Sequence, residues 1–547
     1  MGDQLKMTTI DSNVGSASHA QSRGTSSSLV SATGVWITSS DSKKIGRLFV
    51  GVSLLLAVIA SVLGALLGFE RMSASSMGLI NGDAVLQVVS MYQFALVLGV
   101  LAPLFVGIAL AVVPMQVGSR AVALPRLAQF GFWAWFFGVA MVAVSLVGNG
   151  GPGGGTTDLV DLYLLAVGLT AVGIVAACIS IVTTVLTSRA PGMTLDLVPA
   201  FSWSALVGAA ATALSLPVTV GTIIYLYIDQ THAKLLFDGN KGIDKYMNWS
   251  FSAPMTFVLV VMAFGVLAEI TPVTAGVRQP LRPIVLAGLG LASAGVLGAV
   301  TQSFHSLEWT GSASDKIQSA IPYLLFNGVP LLGAIVSVAV VMLSVKNSKI
   351  KLSAPFASAL FGALMILTGM AGNMILRITP AGLAGTAFEE GITLYVVYGA
   401  LLSAIGALSY WAPKLWGRTL DPQKLLGLGG IGLLGTVAAS LPLFVAGFAN
   451  QPANVVADFS YDGPQGLWNL LNGVGHVLMI ATVVGFVLLL ISAIRGGEPA
   501  ANDPWDAHTL EWSLASPVPT NNFESLSMVN SSEPVLDEKP SSQEVSA

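Results

Sequence analysis

Twelve apolar runs, each long enough to cross a bilayer, leave this chain few folds to choose from. They lie near 46–68, 88–115, 130–148, 162–187, 201–228, 252–275, 283–304, 319–345, 355–378, 391–412, 425–449 and 469–494. A span needs about 20 residues to cross about 30 Å of hydrocarbon at 1.5 Å per residue. In that medium a backbone must satisfy its own hydrogen bonds, which selects helices. Composition agrees: of 547 residues, 54% are hydrophobic and 10% charged, with a mean hydropathy of +0.77.

Basic residues orient the bundle, because Lys and Arg collect in connections that face the cytoplasm. Alternate connections divide them fifteen to six. The rich set holds Lys43, Lys44, Arg47, Arg120, Arg126, Arg189, Arg278, Arg282, Lys346, Lys349, Lys351, Lys414, Arg418, Lys424 and Arg495. The poor set holds Arg71, Lys234, Lys241, Lys245, Lys316 and Arg377. It carries acidic residues instead, among them Asp229, Glu389, Glu390, Asp458 and Asp462. A miscounted span would scramble this alternation, so the expectation is an all-α integral membrane bundle with both termini cytoplasmic.

Three regions follow: a Ser/Thr/Gly-rich arm over 1–44, read as disordered and lacking a signal peptide's apolar core; the spans over 45–497; and a polar cytoplasmic tail over 498–547. A net charge of −4 on so long a chain argues against a nucleic-acid partner. The single cysteine, Cys178, lies in an apolar run and excludes an intrachain disulfide or a thiolate cluster. The glycine-rich turn 149–155 lacks the Lys-Ser/Thr and the preceding strand of a phosphate loop, and reads as a flexible outer loop.

Six separated blocks carry a family resemblance. The stretch 88–127 ends in VVPMQVGSRAVALPRL; RAPGMTLDLVPAFSW follows at 189–203, FGVLAEITP at 264–272 and YWAPKLWGR at 410–418. After the last span come NDPWDAHTLEW at 502–512 and SPVP at 516–519. In this order they resemble cytochrome c oxidase subunit I of the haem–copper oxidases, over roughly 45–523. The resemblance implies twelve transmembrane helices in a bacterial plasma membrane, subunit II- or III-like partners, two haems and a copper.

The ligands that the resemblance implies are missing. The second-helix haem histidine falls at Tyr92, and the tenth-helix pair at Ile392 and Leu394. The copper ligands fall at Ala253, Thr301 and Gln302, and the sixth-helix glutamate and tyrosine at Met255 and Phe257. Proton-path positions fall at Leu110, Ala121 and Ala334, and the propionate-holding arginines at Ala453 and Asn454. Supply gives the same answer independently. The chain has five histidines, His19, His232, His305, His476 and His508, and only His305 and His476 lie near the membrane interior. Six imidazoles cannot come from two. The expectation is therefore no haem, no copper and no catalytic residue.

An ionisable side chain within a span is a functional candidate by default. His476, with Asn472 beside it, has two readings: an interhelical hydrogen bond, or a ligand or proton handler. Gln302, Thr301 and Asn373 are the other candidates for a polar interior. Tyr92 is either a packed tyrosine or, as tyrosine can be, an iron ligand. Glu269 reads as a carboxylate near the cytoplasmic end of its span, within reach of water, Arg278 and Arg282. Glu389 and Glu390 read as a solvated helix cap.

Emptying cofactor sites of about 300–1,000 Å³ would cost on the order of 10 kcal/mol at about 24 cal/mol per Å³. The helices are therefore expected to close in, or something apolar such as lipid or quinone to fill the gap. The 59 glycines and tracts such as 286–300 favour closure. Three functions stand open at this point. One is a non-catalytic subunit I relative that docks or assembles partners. The second is a transporter or binder of a small hydrophobic molecule. The third is a terminal oxidase with atypical ligation.

Overall fold

The computed structural model describes residues 34, 39–73, 75–232, 236–346, 348, 352–456, 459, 463–526 and 528–538. Contacts divide the chain into 1–39 and 40–547, and the fold below is that of the second unit. Most of the expected arm, His19, Lys234, Lys349, Lys351, Asp458 and Asp462 lie outside the described residues.

Twelve helices are long and apolar enough to span a membrane: α1 Ser42–Glu70, α2 Val85–Gln116, α3 Pro125–Val147, α4 Thr157–Thr187, α5 Ala200–Thr231, α6 Met255–Ala275, α7 Arg282–Thr301, α8 Ala313–Val345, α9 Ala354–Leu376, α10 Ala387–Tyr410, α11 Pro422–Phe448 and α12 Gln465–Gly496. Each overlays one apolar run of the sequence, and no strand forms among the described residues. An even number of crossings puts both ends of the bundle on one side, here termed the tail face.

Local chemistry sets the ends. The side chains of Asp41, Ser353, Thr386 and Asp421 cap α1, α9, α10 and α11, and Ser312 with Asp315 closes a capping box on α8. Gly276, at φ +64°, ends α6 in the left-handed region that glycine tolerates best. The largest disagreement in start is α8, which begins at Ala313 rather than 319. Its first turns are polar, so hydropathy misses them. In place of the expected 304, α7 stops at Thr301, because Gln302 turns left-handed at φ +53°.

Three helices form the centre. In α2, α6 and α10, 100%, 94% and 94% of the most apolar window is buried, against 28% in α12. The others wrap them, with sequence neighbours packed side by side, and α12 closes the ring against α1. Small residues allow the close approaches: a Cβ on Gly362 of α9 would stand 2.4 Å from the carbonyl oxygen of Gly399 in α10. In α2 the backbone widens to π geometry over Ala95–Leu101, just before Pro103. That proline has no N–H to offer the preceding turn.

The stretch after α12 is polar in composition yet packed onto the tail face as far as it is described. Lys43 donates to Asn522 Oδ1 at 2.8 Å, Asn522 Nδ2 to the carbonyl of Ser119 at 2.9 Å, and the Val529 amide to that of Pro191 at 2.8 Å. Lys414 donates to the carbonyls of Asn502, at 2.8 Å, and Leu514. Leu510, Glu511 and Trp512 are buried. Within this polar stretch the buried Leu510 and Trp512 anchor a folded plate.

Candidate functional site

A ring cluster occupies the middle of the bundle between α1, α2, α10 and α12. His476 of α12 points inward, and its Nδ1 lies 2.6 Å from the hydroxyl of Tyr398 in α10. That hydroxyl also reaches Ser61 Oγ of α1 at 3.1 Å. On the other side of the imidazole, Asn472 Nδ2 lies 3.4 Å from Nε2 and donates to the Ala439 carbonyl at 2.7 Å. Tyr92 of α2 meets the same ring edge-on, with centroids 5.9 Å apart, and Tyr398 meets it at 5.6 Å.

Glycine makes the space. A Cβ on Gly64 of α1 would stand 2.5 Å from Cε1 of His476, and one on Gly68 would stand 2.6 Å from Oδ1 of Asn472. Four apart on one helix face, Asn472 and His476 therefore lie over a strip of α1 that has no side chains.

Toward the face opposite the tail, the cluster meets an ion pair. Arg71 holds Glu390 in a fork, at 2.7 and 3.1 Å. Glu390 also accepts the Asn454 amide at 2.6 Å, and Asn454 Oδ1 accepts from Gln93 at 3.0 Å. The expected solvated cap at Glu389 and Glu390 is thus corrected for Glu390, which is tied to an arginine 319 residues away in sequence. A cavity of about 40 Å³ lies here against Tyr92, Gln93, Glu390 and Asn454, room for a few waters.

The chain matches the family model described as "Cytochrome C and Quinol oxidase polypeptide I" over residues 44–494. It belongs to that family. Among its relatives, the cytochrome c oxidase subunit 1 of Alkalihalophilus pseudofirmus is 26% identical over 540 residues, covering 92% of this chain and 83% of the relative. The heme-copper oxidase subunit I+III of Aeropyrum pernix is 26% identical, over 92% of this chain and 63% of its own length. In fold, the chain is similar to a heme-copper terminal oxidase solved as a dimer by cryo-electron microscopy, with TM-score 0.62, 16% identity and 87% and 88% of the two chains covered.

Family membership implies haem and copper, and the side chains at the positions that the resemblance assigns to the ligands do not fit them. Ala253, Ile392 and Leu394 are buried and have no donor atom. Thr301 spends its hydroxyl on the Leu297 carbonyl, and Gln302 bonds Thr222 at 2.8 Å. Both are exposed at the end of α7, so Gln302 is corrected from the expected polar interior to the surface. Among the haem-ligand positions Tyr92 alone offers an oxygen, and its ring is packed against His476. The nitrogens of His476 face Tyr398 and Asn472. Among the described residues no three His, Cys, Asp or Glu side chains gather at metal-holding spacing.

The other candidates scatter. Asn373 donates to Asn327 Oδ1 at 3.0 Å in a separate cluster, where Asn327 donates to the His305 carbonyl at 3.2 Å. Glu269 is buried and accepts the Phe201 amide at 3.1 Å, and Arg278 pairs instead with Asp537. Sequence reasoning brought out Tyr92, Asn472 and His476 but missed Tyr398, Ser61 and Gly64. A signal for Tyr398 existed: it follows Leu394 by four residues, on the same helix face as that ligand position.

Proposed function

We propose that this chain is a subunit I relative that has given up oxygen chemistry. It serves as a structural or assembly subunit of a respiratory-type complex in a bacterial plasma membrane, with the tail face cytoplasmic. One observation carries the reading: Tyr92, where the family resemblance puts a haem ligand, packs with Tyr398 against the ring of His476. A residue that fills space in this way stabilises the bundle without a cofactor, and the closed core avoids the cost of an empty site. The family-like loop and tail blocks at 189–203, 410–418 and 502–512 suit docking to subunit II- or III-like proteins and to lipid.

Purification from native membranes in mild detergent tests this. Oxidase-type subunits should copurify, while reduced cytochrome c and quinol should drive no oxygen uptake attributable to this chain. A solitary protein, or turnover lost with this chain alone, would overturn it.

A second reading has its own support. A cavity of about 410 Å³ opens between α6, α9, α10, α11 and the tail, bounded by Ile270, Val273, Pro355, Tyr410, Leu425 and Trp505. Its size and apolar walls suit a small hydrophobic molecule. Saturable binding of a quinone or acyl probe there, lost on Val273→Trp, would favour a binder over a docking subunit.

A further inference from the structure

Two buried carboxyl groups lie on either side of the Phe201–Trp411 contact where the tail docks: Glu269 accepts the Phe201 amide, Glu511 the Trp411 indole N–H, and the two rings pack with centroids 4.9 Å apart. Glu511 belongs to the tail and is fully buried; Glu269 belongs to α6 and is 5% exposed. Glu511 Oε1 accepts from Gln116 Nε2 of α2 at 3.0 Å and from Trp411 Nε1 at 3.1 Å. Its Oε2 is buried with no protein donor. The hydroxyl of Thr509 adjoins both carboxyl groups and is itself buried without a partner, and Glu269 feels the charge of Glu511. The hydroxyl of Tyr410 and the indole N–H of Trp512, both close by, are buried without a partner as well.

Two cations stand against three carboxyl groups around this site. Lys414 and Asp503 face it from the end of α10 and from the tail, and Arg282 faces Glu269 from α7. Lys414 gives its hydrogen bonds to tail carbonyls and Arg282 to the Val198 carbonyl, so neither cation is hydrogen-bonded to the pair. Two carboxylates sharing one dry site cannot both ionise. An unpaired carboxyl oxygen in such a site is best satisfied by a proton, which the neighbouring carboxyl can share.

We propose that Glu269 and Glu511 hold one proton between them, taken from water on the tail face, and that losing it loosens residues 502–514 from the bundle. Burial pushes the Glu511 carboxyl above its ordinary range. The docked form therefore binds more protons than the released form, and docking weakens as pH rises from the ordinary carboxylate range toward the raised value. One proton changes the docking equilibrium by at most about tenfold per pH unit. Lys414 works the other way. Burial pulls its ammonium down to about 8, so its opposing effect lies above that pH. Glu533, raised by burial beside Arg278 and Arg282, adds a term of the same sign at a separate part of the tail.

The test is hydrogen–deuterium exchange of the full chain in nanodiscs between about pH 5 and about pH 7.5, corrected for intrinsic exchange. Peptides covering 502–514 should lose protection as pH rises, by up to about tenfold per unit. Glu511→Gln keeps the shape of the side chain and its acceptor oxygen, and should hold those peptides protected across the range. Glu533→Gln should leave their transition in place. Infrared difference spectra should show a protonated carboxyl band at low pH that Glu511→Gln and Glu269→Gln each remove. Protection at 502–514 that ignores pH in the unmodified chain, a transition that survives Glu511→Gln, or protection restored by divalent cations at high pH would each overturn the proposal.

Discussion

The hydroxyl of Tyr398 lies 2.6 Å from Nδ1 of His476, between α10 and α12 in the middle of the bundle. Both side chains are buried, and their rings pack at 5.6 Å. A polar contact this deep ties the outermost helix of the ring to a central one. The imidazole has Tyr398 on one nitrogen and Asn472 near the other, so it acts as a rivet between helices rather than as a free base.

His476→Ala should therefore destabilise the bundle, by about 2–4 kcal/mol. Most of that comes from the void, since hydrogen bonds within a membrane average only about 0.6 kcal/mol. Thermal or denaturant unfolding in detergent micelles reads this, and metal content should not change.

Gly64→Ala tests the contact from the other side. Its new Cβ would stand 2.5 Å from the His476 ring, and ring atoms held by Tyr398 and Asn472 have little freedom to move. The expected cost is about 1–3 kcal/mol. Combined with His476→Ala, the same alanine should cost less than it does alone, because it enters the void. A double-mutant cycle with a coupling of at least about 0.5 kcal/mol would show this.

At the opposite face, Arg71→Ala leaves Glu390 partly buried without its fork. A loss of about 3–5 kcal/mol is expected, whereas Arg71→Met with Glu390→Gln should be milder because no charge is stranded. Unfolding midpoints of the single and double variants separate the two outcomes.

Lys414→Met removes the ammonium that holds the tail carbonyls of Asn502 and Leu514. Below about pH 8, where that ammonium is charged, limited proteolysis should then cut the tail several-fold faster, with the spans still folded. An effect that changes between about pH 5 and about pH 7.5 would instead point to the carboxyl pair.

Span number and approximate limits were legible because hydrocarbon solvation dictates length and apolarity, and those survive in sequence. What each inward face touches was not. His476 could be singled out as an ionisable residue within a span, but its partner Tyr398 lies 78 residues away, and Ser61, which that tyrosine also reaches, lies 337 residues from Tyr398. Gln302 was misplaced because a left-handed turn ends α7 early, and hydropathy does not record φ. Glu390 looked like a solvated cap because nothing near it in sequence announces Arg71. The packed tail was concealed by its polar average, which hides the buried Leu510 and Trp512.

The central claim is that this bundle lacks the side chains to grip haem. A pyridine haemochrome spectrum with metal analysis, on protein purified from membranes replete with haem, tests it most directly. The account predicts far less than one haem and one copper per chain. A stoichiometric haem whose axial bond is lost on Tyr92→Phe would contradict it.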